Sequence, residues 1–447
     1  MRLFAAFRTQ IIFALGVIAA AFTPTATQAW SLSTLHSFCS ELSGKWCRDG
    51  LTPSGTLAAD AAGNLYGTTI EGGRKHGQGT VFELMRQNDG SFAYALVYEF
   101  CPHGKDRICP MGDYPNGGLV VDTHGNLYGT AWGGANGRRV AFELSPSNGQ
   151  WSFQILYNFC SKGGDSCTDG DSPESLTYRG ASTGALYDGK APLYGATAYG
   201  GAHRDDGTVF QLKHRNGIWT QKVLHSFCCD DGLNPESIVF DGAGNLFGTA
   251  QDGGGQNAGL IFQLSPAEKG WNESVLYRFC QQPQCADGDS PGPLTVDADG
   301  ILYGATGAGG FQCNIDGRTT CGTVFKLVPD GAQSQYQVLY QFCQQPDCVD
   351  GLLPAGALTV DAAGHLFGMT SEGGGHNGDD QELGGGTVFE LTGSSFETLY
   401  AFCTGGSSCP DGEYPISAPF LDRSGNIYGA TFYGGAHGRG TMFELSP

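Results

Sequence analysis

The sequence predicts an all-β protein, a closed seven-bladed β-propeller whose blades each contain four strands. Three short signatures each occur seven times along the 447 residues. Turn-forming residues divide each unit into strand-length segments, and the two ends of the repeat region carry complementary parts of one unit. Repeated units that contain four strands each are typical of propellers.

The three signatures recur in a fixed order along the chain. The first, G-N-L-Y-G or a near copy, ends at Gly67, Gly129, Gly195, Gly248, Gly304, Gly368 and Gly429. The second, G-T-V-F-E-L or a variant, has its phenylalanine at Phe82, Phe142, Phe210, Phe262, Phe325, Phe389 and Phe443. The third, of the type L-Y-x-F-C, has its cysteine at Cys39, Cys101, Cys160, Cys228, Cys280, Cys343 and Cys403.

Turn residues give each unit four strands. In one unit we expect strands at residues 119–122, 126–130, 140–144 and 153–159. D-x-x-G-N turns, D-G and G-G pairs, and prolines such as Pro53 and Pro115 separate these segments.

The order of segments at the chain ends predicts how the ring closes. The repeat region begins in a fourth-strand segment, residues 35–38, and ends in a third-strand segment, residues 441–445. We therefore expect the N-terminal strand to complete the last blade, which hides the edges that an open array would expose.

The first residues predict export. Arg2 and Arg8 flank a short basic start, an apolar run covers residues 11–22, and small residues precede Trp30. We expect residues 1–29 to be a signal peptide and residues 30–447 to form a single propeller domain, secreted to an extracellular or periplasmic location. No later run reaches eighteen apolar residues, so we expect no membrane span. No cysteine directly follows the expected cleavage point, so we expect no covalent lipid anchor there.

Charge argues against nucleic acid as a partner. Loss of residues 1–29 removes two arginines and no acids, which changes the formal net charge from −20 to −22. A surface this acidic repels phosphate backbones.

The cysteines predict disulfides between close neighbours. In an exported chain, an even number of cysteines that fall in near pairs favours local bridges over a thiolate metal site. The expected pairs are Cys39 with Cys47, Cys101 with Cys109, Cys160 with Cys167, Cys228 with Cys229, Cys280 with Cys285, Cys313 with Cys321, Cys343 with Cys348, and Cys403 with Cys409.

Two segments carry a family resemblance. P-x-G-x-L-x-V-D-x-x-G-N-L-Y-G, at residues 115–129 and, with G-H-L-F-G at its end, at residues 354–368, resembles the inner two strands of NHL-type propellers. The whole unit resembles the GloVer tandem repeat of bacterial "choice-of-anchor" proteins. The resemblance implies an extracellular propeller and carries no biochemical activity to any residue.

Two sets of loops are expected to share one face of the propeller. The fourth-to-first connections, which we call the cysteine loops, and the second-to-third connections, which we call the glycine-rich loops, are the most variable parts of each unit, and a ligand is expected there. The glycine-rich loops offer a ring of polar residues that would suit a sugar or contribute to a metal site: His76, Asn136, His203, Gln256, Gln312, His376 and His437. Alternatively, His and Asn are there because they tolerate turn conformations.

Repeated aspartates have two interpretations. Those that precede a recurring glycine would form a calcium ring or simple Asp-Gly turns, and we favour turns because they lie one per blade. They are Asp49, Asp169, Asp231, Asp287, Asp350 and Asp411. The D-x-x-G-N aspartates are interpreted in the same way, as turn residues.

Catalysis should break the seven-fold pattern, and three segments do so. Residues 376–385 add Asp379, Asp380 and Glu382, which would hold a cation or supply paired carboxylates if they are more than a solvated loop. Residues 311–321 add a further cysteine pair, and residues 187–192 lengthen a first-to-second turn. We recognise no nucleophile elbow, P-loop, H-E-x-x-H motif or EF-hand loop, so we assign no catalytic residue, cofactor or established metal site.

The sequence therefore favours a secreted, monomeric, non-catalytic scaffold that binds an extracellular glycan or protein. Two alternatives stay open. One is a secreted polysaccharide hydrolase or lyase, and the other is a structural cell-surface protein.

Overall fold

Seven four-stranded antiparallel sheets form the blades of a closed propeller. The computed structural model describes residues 30–74, 77–101, 109, 111–134, 139–203, 205–310, 321–331, 333–375, 384–403 and 408–447. Among these residues, no helix has the length and apolar character needed to cross a membrane.

Each blade runs from an innermost first strand to an outer fourth strand. In blades 5 and 7 the first strand is interrupted. From blade 1 to blade 7, the strands are Leu51–Ala59, Leu65–Glu71, Thr80–Arg86 and Phe92–Glu99; Val120–Val121, Leu127–Ala131, Val140–Ser147 and Gln150–Asn158; Asp171–Tyr178, Leu193–Tyr199, Thr208–Arg215 and Ile218–Ser226; Leu233–Phe240, Leu246–Asp252, Leu260–Pro266 and Trp271–Arg278; Asp289–Pro291, Thr295–Val296, Leu302–Ala308, Thr323–Val328 and Gln335–Gln341; Leu352–Val360, Leu366–Glu372, Thr387–Thr392 and Ser395–Ala401; Glu413–Pro415, Phe420–Leu421, Ile427–Tyr433, Thr441–Ser446 and Ser31–Ser37.

Short elements lie in the connections. A two-stranded hairpin is formed by Leu42–Ser43 and Trp46–Cys47, and single 3₁₀ turns lie at Gly164–Ser166, Ala181–Thr183, Cys229–Asp231, Pro283–Cys285 and Pro346–Cys348.

The predicted closure is confirmed. The N-terminal strand Ser31–Ser37 pairs antiparallel with Thr441–Ser446, so both chain ends lie in blade 7. A buried cluster containing Phe38, Phe82 and Met442 then joins blade 7 to blade 1. Six further clusters join the other neighbouring blades, so the hydrophobic core lies between blades around the whole ring.

The first two signatures pack against each other. The recurring glycine of the second strand faces the phenylalanine of the third strand in every blade. A Cβ at Gly67 would lie 2.5 Å from Cζ of Phe82, and the same conflict arises in the other six blades. Glycine is therefore required there because the phenylalanine ring occupies the side-chain position.

A left-handed backbone position precedes the first-strand proline in every blade. This residue has a φ between 46° and 62° although it is never glycine. Among the described residues, its N–H donates to a backbone carbonyl of the preceding blade in six of the seven blades. Thr52 N donates to Arg439 O at 3.0 Å, and Asn234 N donates to Asp206 O at 3.2 Å. The residues are Thr52, Tyr114, Ser172, Asn234, Ser290, Leu353 and Tyr414.

Six of the predicted disulfides are present: Cys39–Cys47, Cys101–Cys109, Cys160–Cys167, Cys280–Cys285, Cys343–Cys348 and Cys403–Cys409. Cys321 is disulfide-bonded, whereas Cys313 lies outside the described residues. The predicted Cys228–Cys229 bridge is wrong, because both cysteines are free. Their trans peptide holds the two Cα atoms about 3.8 Å apart, closer than an unstrained disulfide prefers.

Candidate functional site

The cysteine loops and the glycine-rich loops lie together at one edge of the blades, which we call the loop face. Gly201 N donates to Cys167 O at 3.0 Å, and Gly435 N donates to Cys409 O at 2.8 Å. The two sets of loops therefore share one edge of the blades, as the antiparallel order of the strands requires.

Recurring aspartates organise the cysteine loops from within. Asp287 is fully buried and accepts hydrogen bonds from the backbone N–H of Gln281 at 2.9 Å, from that of Gln282 at 3.0 Å, and from Tyr277 Oη at 2.7 Å. Asp169 and Asp350 have equivalent partners, whereas a histidine replaces the tyrosine beside Asp49 and Asp231. These carboxylates hold loop backbone, which supports the turn interpretation over a calcium ring.

The D-x-x-G-N aspartates lie at the opposite edge, which we call the turn face. Asp60 accepts from the backbone N–H of Ala62 at 2.8 Å and of Asn64 at 3.0 Å. Their interpretation as turn residues is confirmed.

The polar ring on the glycine-rich loops is only partly described. His203, Gln256 and His437 are exposed on the loop face. His76, Asn136, Gln312 and His376 lie outside the described residues, as do Asp379, Asp380 and Glu382. A ligand-binding role for any of them stays a prediction.

Exposed aromatic side chains mark the loop face. Trp132, Tyr199 and Tyr433 occupy the same register position, because each pairs with the residue two places before the first-strand proline of its blade. They are 42%, 45% and 44% exposed, and Tyr414 lies beside Tyr433 with ring centroids 6.2 Å apart. Large exposed aromatics in one region of a surface usually mark a binding site.

Two glutamates break the seven-fold pattern on the innermost strands. The residue after the first-strand proline is Glu174 in blade 3 and Glu236 in blade 4. The other five blades have uncharged residues there, namely Ser54, Asn116, Gly292, Ala355 and Ile416. Only adjacent blades carry the acids, so the two carboxylates interact electrostatically.

A chain of contacts joins the glutamates to the aromatic residues. Gln251 Nε2 donates to Glu236 Oε1, while Glu236 Oε2 is buried and has no hydrogen-bond partner among the residues the structure describes. Arg139 interacts with Glu174, lies 3.6 Å from Asp171 Oδ1 and stacks over the Trp132 ring at 4.5 Å. We call Glu174, Glu236, Gln251, Arg139 and Trp132 the glutamate cluster.

The repeat has a counterpart among known protein families. The sequence matches the Gloeobacter/Verrucomicrobia repeat over residues 16–191 and 181–443. The chain belongs to this family. No curated protein matches the sequence.

Solved structures resemble this Gloeobacter/Verrucomicrobia repeat protein in fold alone. Polysaccharide lyase Uly1 is 11% identical, with 91% of this chain and 94% of that chain covered and a TM-score of 0.50. PhoX of Pseudomonas fluorescens is 11% identical over 94% of this chain and 95% of its own, with a TM-score of 0.45. An α-L-arabinofuranosidase from Fusarium graminearum is 10% identical over 73% and 91%, with a TM-score of 0.42.

Burial changes the acidity of the glutamate pair in this family member. Burial and the charge of Glu174 raise the pKa of Glu236 to about 7, against the opposing hydrogen bond from Gln251. Burial also raises the pKa of Glu174, although Arg139 opposes the shift. One carboxyl of the pair can therefore hold a proton near neutral pH.

Among the described residues, two groups have the composition of a metal site but not its chemistry. They are Cys321 with Cys343 and Cys348, and Cys403 with Cys409 and Glu413. All five cysteines are disulfide-bonded, so none offers a thiolate to a cation.

Sequence analysis missed the glutamate cluster. The available signal was P-E-S in two successive units, at a position that is uncharged in every other unit.

Proposed function

We propose that this protein is an exported, monomeric, non-catalytic binding propeller that recognises a glycan through its loop face. The observation that carries the proposal is the set of exposed aromatics Trp132, Tyr199 and Tyr433 at one register position. Rigid aromatic rings beside polar groups suit sugar rings, which present an apolar face and a polar edge. The disulfides and buried aspartates support a preorganised surface, and the disulfides also support an oxidising compartment.

The acidic surface narrows the ligand class. With a formal charge of −20 for the whole chain, the protein should favour neutral or basic glycans over uronate-rich or sulfated ones.

A glycan array probed with the chain from Trp30 onward tests this proposal. Trp132→Ala and Tyr199→Ala should each weaken binding by about tenfold. Ile218→Ala is the matched control, since Ile218 is 65% exposed on the turn face. The proposal would be contradicted if the chain bound nothing on the array and in a pull-down. It would also be contradicted if Ile218→Ala weakened glycan binding as much as the aromatic variants do.

A second candidate is a secreted polysaccharide hydrolase or lyase. The glutamate pair favours it, because a carboxyl with a pKa near the working pH suits general acid–base catalysis. If this candidate is right, Glu174→Gln and Glu236→Gln should abolish turnover in a polysaccharide panel. Glu273→Gln, which removes a half-buried carboxyl from an outer strand of blade 4, should retain it.

The acidic insertion at residues 376–385 is tested separately on the same polysaccharide panel. Alanine at Asp379, Asp380 and Glu382 should abolish turnover only if the insertion supplies the catalytic carboxylates. Absence of turnover by the unmodified chain on every polymer would remove the candidate.

A further inference from the structure

A cleft of about 380 Å³ opens on the turn face between blades 2 and 3. It lies at the opposite edge of the blades from the glutamate cluster, so binding in this cleft would not depend on the proposed function. Its volume falls within the range of small-molecule sites.

The lengthened turn of blade 3 builds one wall of the cleft. The first-to-second connection has five residues in the other six blades and fourteen, residues 179–192, in blade 3. Tyr187 anchors this segment. Its side chain is fully buried, its N–H donates to Val121 O at 3.2 Å, and its carbonyl accepts from Thr123 N at 2.9 Å. The insertion therefore docks on blade 2.

The three residues after Tyr187 enter the cleft in a fixed turn. Asp188 Oδ1 accepts from the backbone N–H of Lys190 at 2.8 Å and of Ala191 at 2.7 Å, and these bonds lower the pKa of Asp188. The Lys190 side chain is exposed. The wall thus presents the carboxylate of Asp188 and the ammonium group of Lys190 on a turn whose backbone is held by hydrogen bonds.

Blade 2 supplies an acceptor-rich floor. Tyr128 Oη donates to Asp122 Oδ2 at 3.1 Å and approaches Glu143 Oε1 at 3.4 Å. Both carboxylates line the cleft, together with the exposed side chain of Gln154. Asp122 is buried and its oxygens already accept four hydrogen bonds within blade 2, so Glu143 is the carboxylate that can accept hydrogen bonds from ligand hydroxyl groups.

An aromatic pair forms the other wall. Trp219 and His214 face each other across the hairpin of blade 3 and stack with centroids 5.0 Å apart and planes 19° apart. The stack restrains a half-buried indole at the rim of the cleft. A ring held in this way binds with little loss of conformational entropy.

The junction of blades 4 and 5 offers a natural comparison. Its cleft is smaller, about 280 Å³, and Phe247 and Gln263 stand where Tyr128 and Glu143 line the larger cleft. Val328 and Pro329 line its other side. The combination of carboxylates, lysine and tryptophan is therefore not a general consequence of blade packing.

We propose that the cleft between blades 2 and 3 binds a neutral saccharide of one or two rings. Trp219 stacks on the apolar face of a ring, Glu143 accepts from its hydroxyls, and Lys190 and Gln154 donate to its oxygens. Three carboxylates against one lysine disfavour anionic ligands such as uronates and phosphates.

Calorimetric titration of the chain from Trp30 onward tests the site with neutral disaccharides, the matching uronates and inorganic phosphate. We expect neutral sugars to bind more tightly than uronates and phosphate. Trp219→Ala should weaken binding by about tenfold. Lys190→Ala and Gln154→Ala change exposed side chains and should weaken it by about threefold without affecting thermal stability.

A control variant separates binding in this cleft from binding elsewhere on the propeller. Trp271→Ala removes the equivalent tryptophan at the next junction, where it packs 6.5 Å from Tyr194. This variant should not change the affinity. Failure of every neutral sugar to bind, a preference for uronates, or equal losses in Trp219→Ala and Trp271→Ala would overturn the proposal.

Discussion

At the residue scale, buried hydroxyl pairs connect the second and third strands in five blades. Thr306 Oγ1 and Thr323 Oγ1 lie 2.9 Å apart in blade 5, and both side chains are fully buried. The same register position is occupied by Ala131 and Val140 in blade 2. The site therefore accepts either a bonded polar pair or an apolar pair.

We predict that Thr306→Ala alone lowers the free energy of unfolding by about 1–2 kcal/mol, because it removes the partner of a buried hydroxyl. The double variant Thr306→Ala, Thr323→Val reproduces the apolar arrangement of blade 2 and should recover most of that loss. Urea unfolding at pH 7 measures both. A double variant that is less stable than the single one would contradict the prediction.

The raised pKa of Glu236 predicts that the stability of the protein depends on pH. The pKa of Glu236 is raised to about 7 in the folded chain, against about 4.3 in an unfolded one. Glu236 therefore destabilises the fold progressively as the pH rises from about 4 to 7, and not below that range. Glu236→Gln should raise the free energy of unfolding by up to about 3 kcal/mol at pH 8 and leave it unchanged at pH 4.

Denaturant titrations at the two pH values measure this difference. Glu397→Gln removes an exposed carboxylate and serves as the control for loss of one negative charge. A similar effect in both variants would show that overall charge, and not burial of Glu236, is responsible.

At the element scale, a cysteine loop can keep its buried aspartate without a disulfide. The loop before blade 4 has no bridge, since Cys228 and Cys229 are free. It nevertheless keeps its aspartate, with Asp231 Oδ1 accepting from Cys228 N at 2.7 Å and Oδ2 lying 3.0 Å from His225 Nε2.

We predict that Cys280→Ala with Cys285→Ala destabilises the protein by about 2 kcal/mol, because the closed loop is short. Asp287→Ala should cost more, about 3 kcal/mol or above, since it leaves two backbone N–H groups and the Tyr277 hydroxyl without their acceptor. Unfolding curves together with hydrogen exchange of residues 280–288 compare the two. A larger loss in the free energy of unfolding for the double cysteine variant than for Asp287→Ala would contradict the prediction.

At the scale of the whole molecule, the N-terminal strand closes the ring. Thr441–Ser446 lies between Ile427–Tyr433 and Ser31–Ser37 in blade 7. Without the N-terminal strand, its outer edge would be exposed and available to pair with other chains.

Deletion of residues 30–37 should therefore lower the thermal midpoint by on the order of 10 °C and promote aggregation. A circular permutant that joins Pro447 to Trp30 and opens the exposed hairpin at Asn148 and Gly149 keeps every blade complete. It should retain the midpoint within a few degrees. Calorimetry and light scattering distinguish these outcomes, and a stable, monomeric deletion variant would contradict the role of the strand.

Much of the fold followed from the sequence because each signature is local and repeated. A Gly67 to Phe82 contact or an Asp60 turn depends on residues close in the chain, and seven copies average out the ambiguity of any one. The predicted Cys228–Cys229 bridge was wrong because it rested on the even number and close spacing of the cysteines. The Cα–Cα distance of adjacent residues is shorter than a disulfide prefers.

By itself, the sequence determined the number of blades, the order of their strands, the closure at the chain ends and six local disulfides, since all of these depend on near neighbours or on periodicity. The tertiary structure alone decided that Glu174 interacts electrostatically with Glu236, and that Asp188 and Lys190 of one blade line the same cleft as Glu143 of another. Those groups belong to different blades. Their proximity depends on how blades pack around the axis, and no local pattern in the chain encodes it.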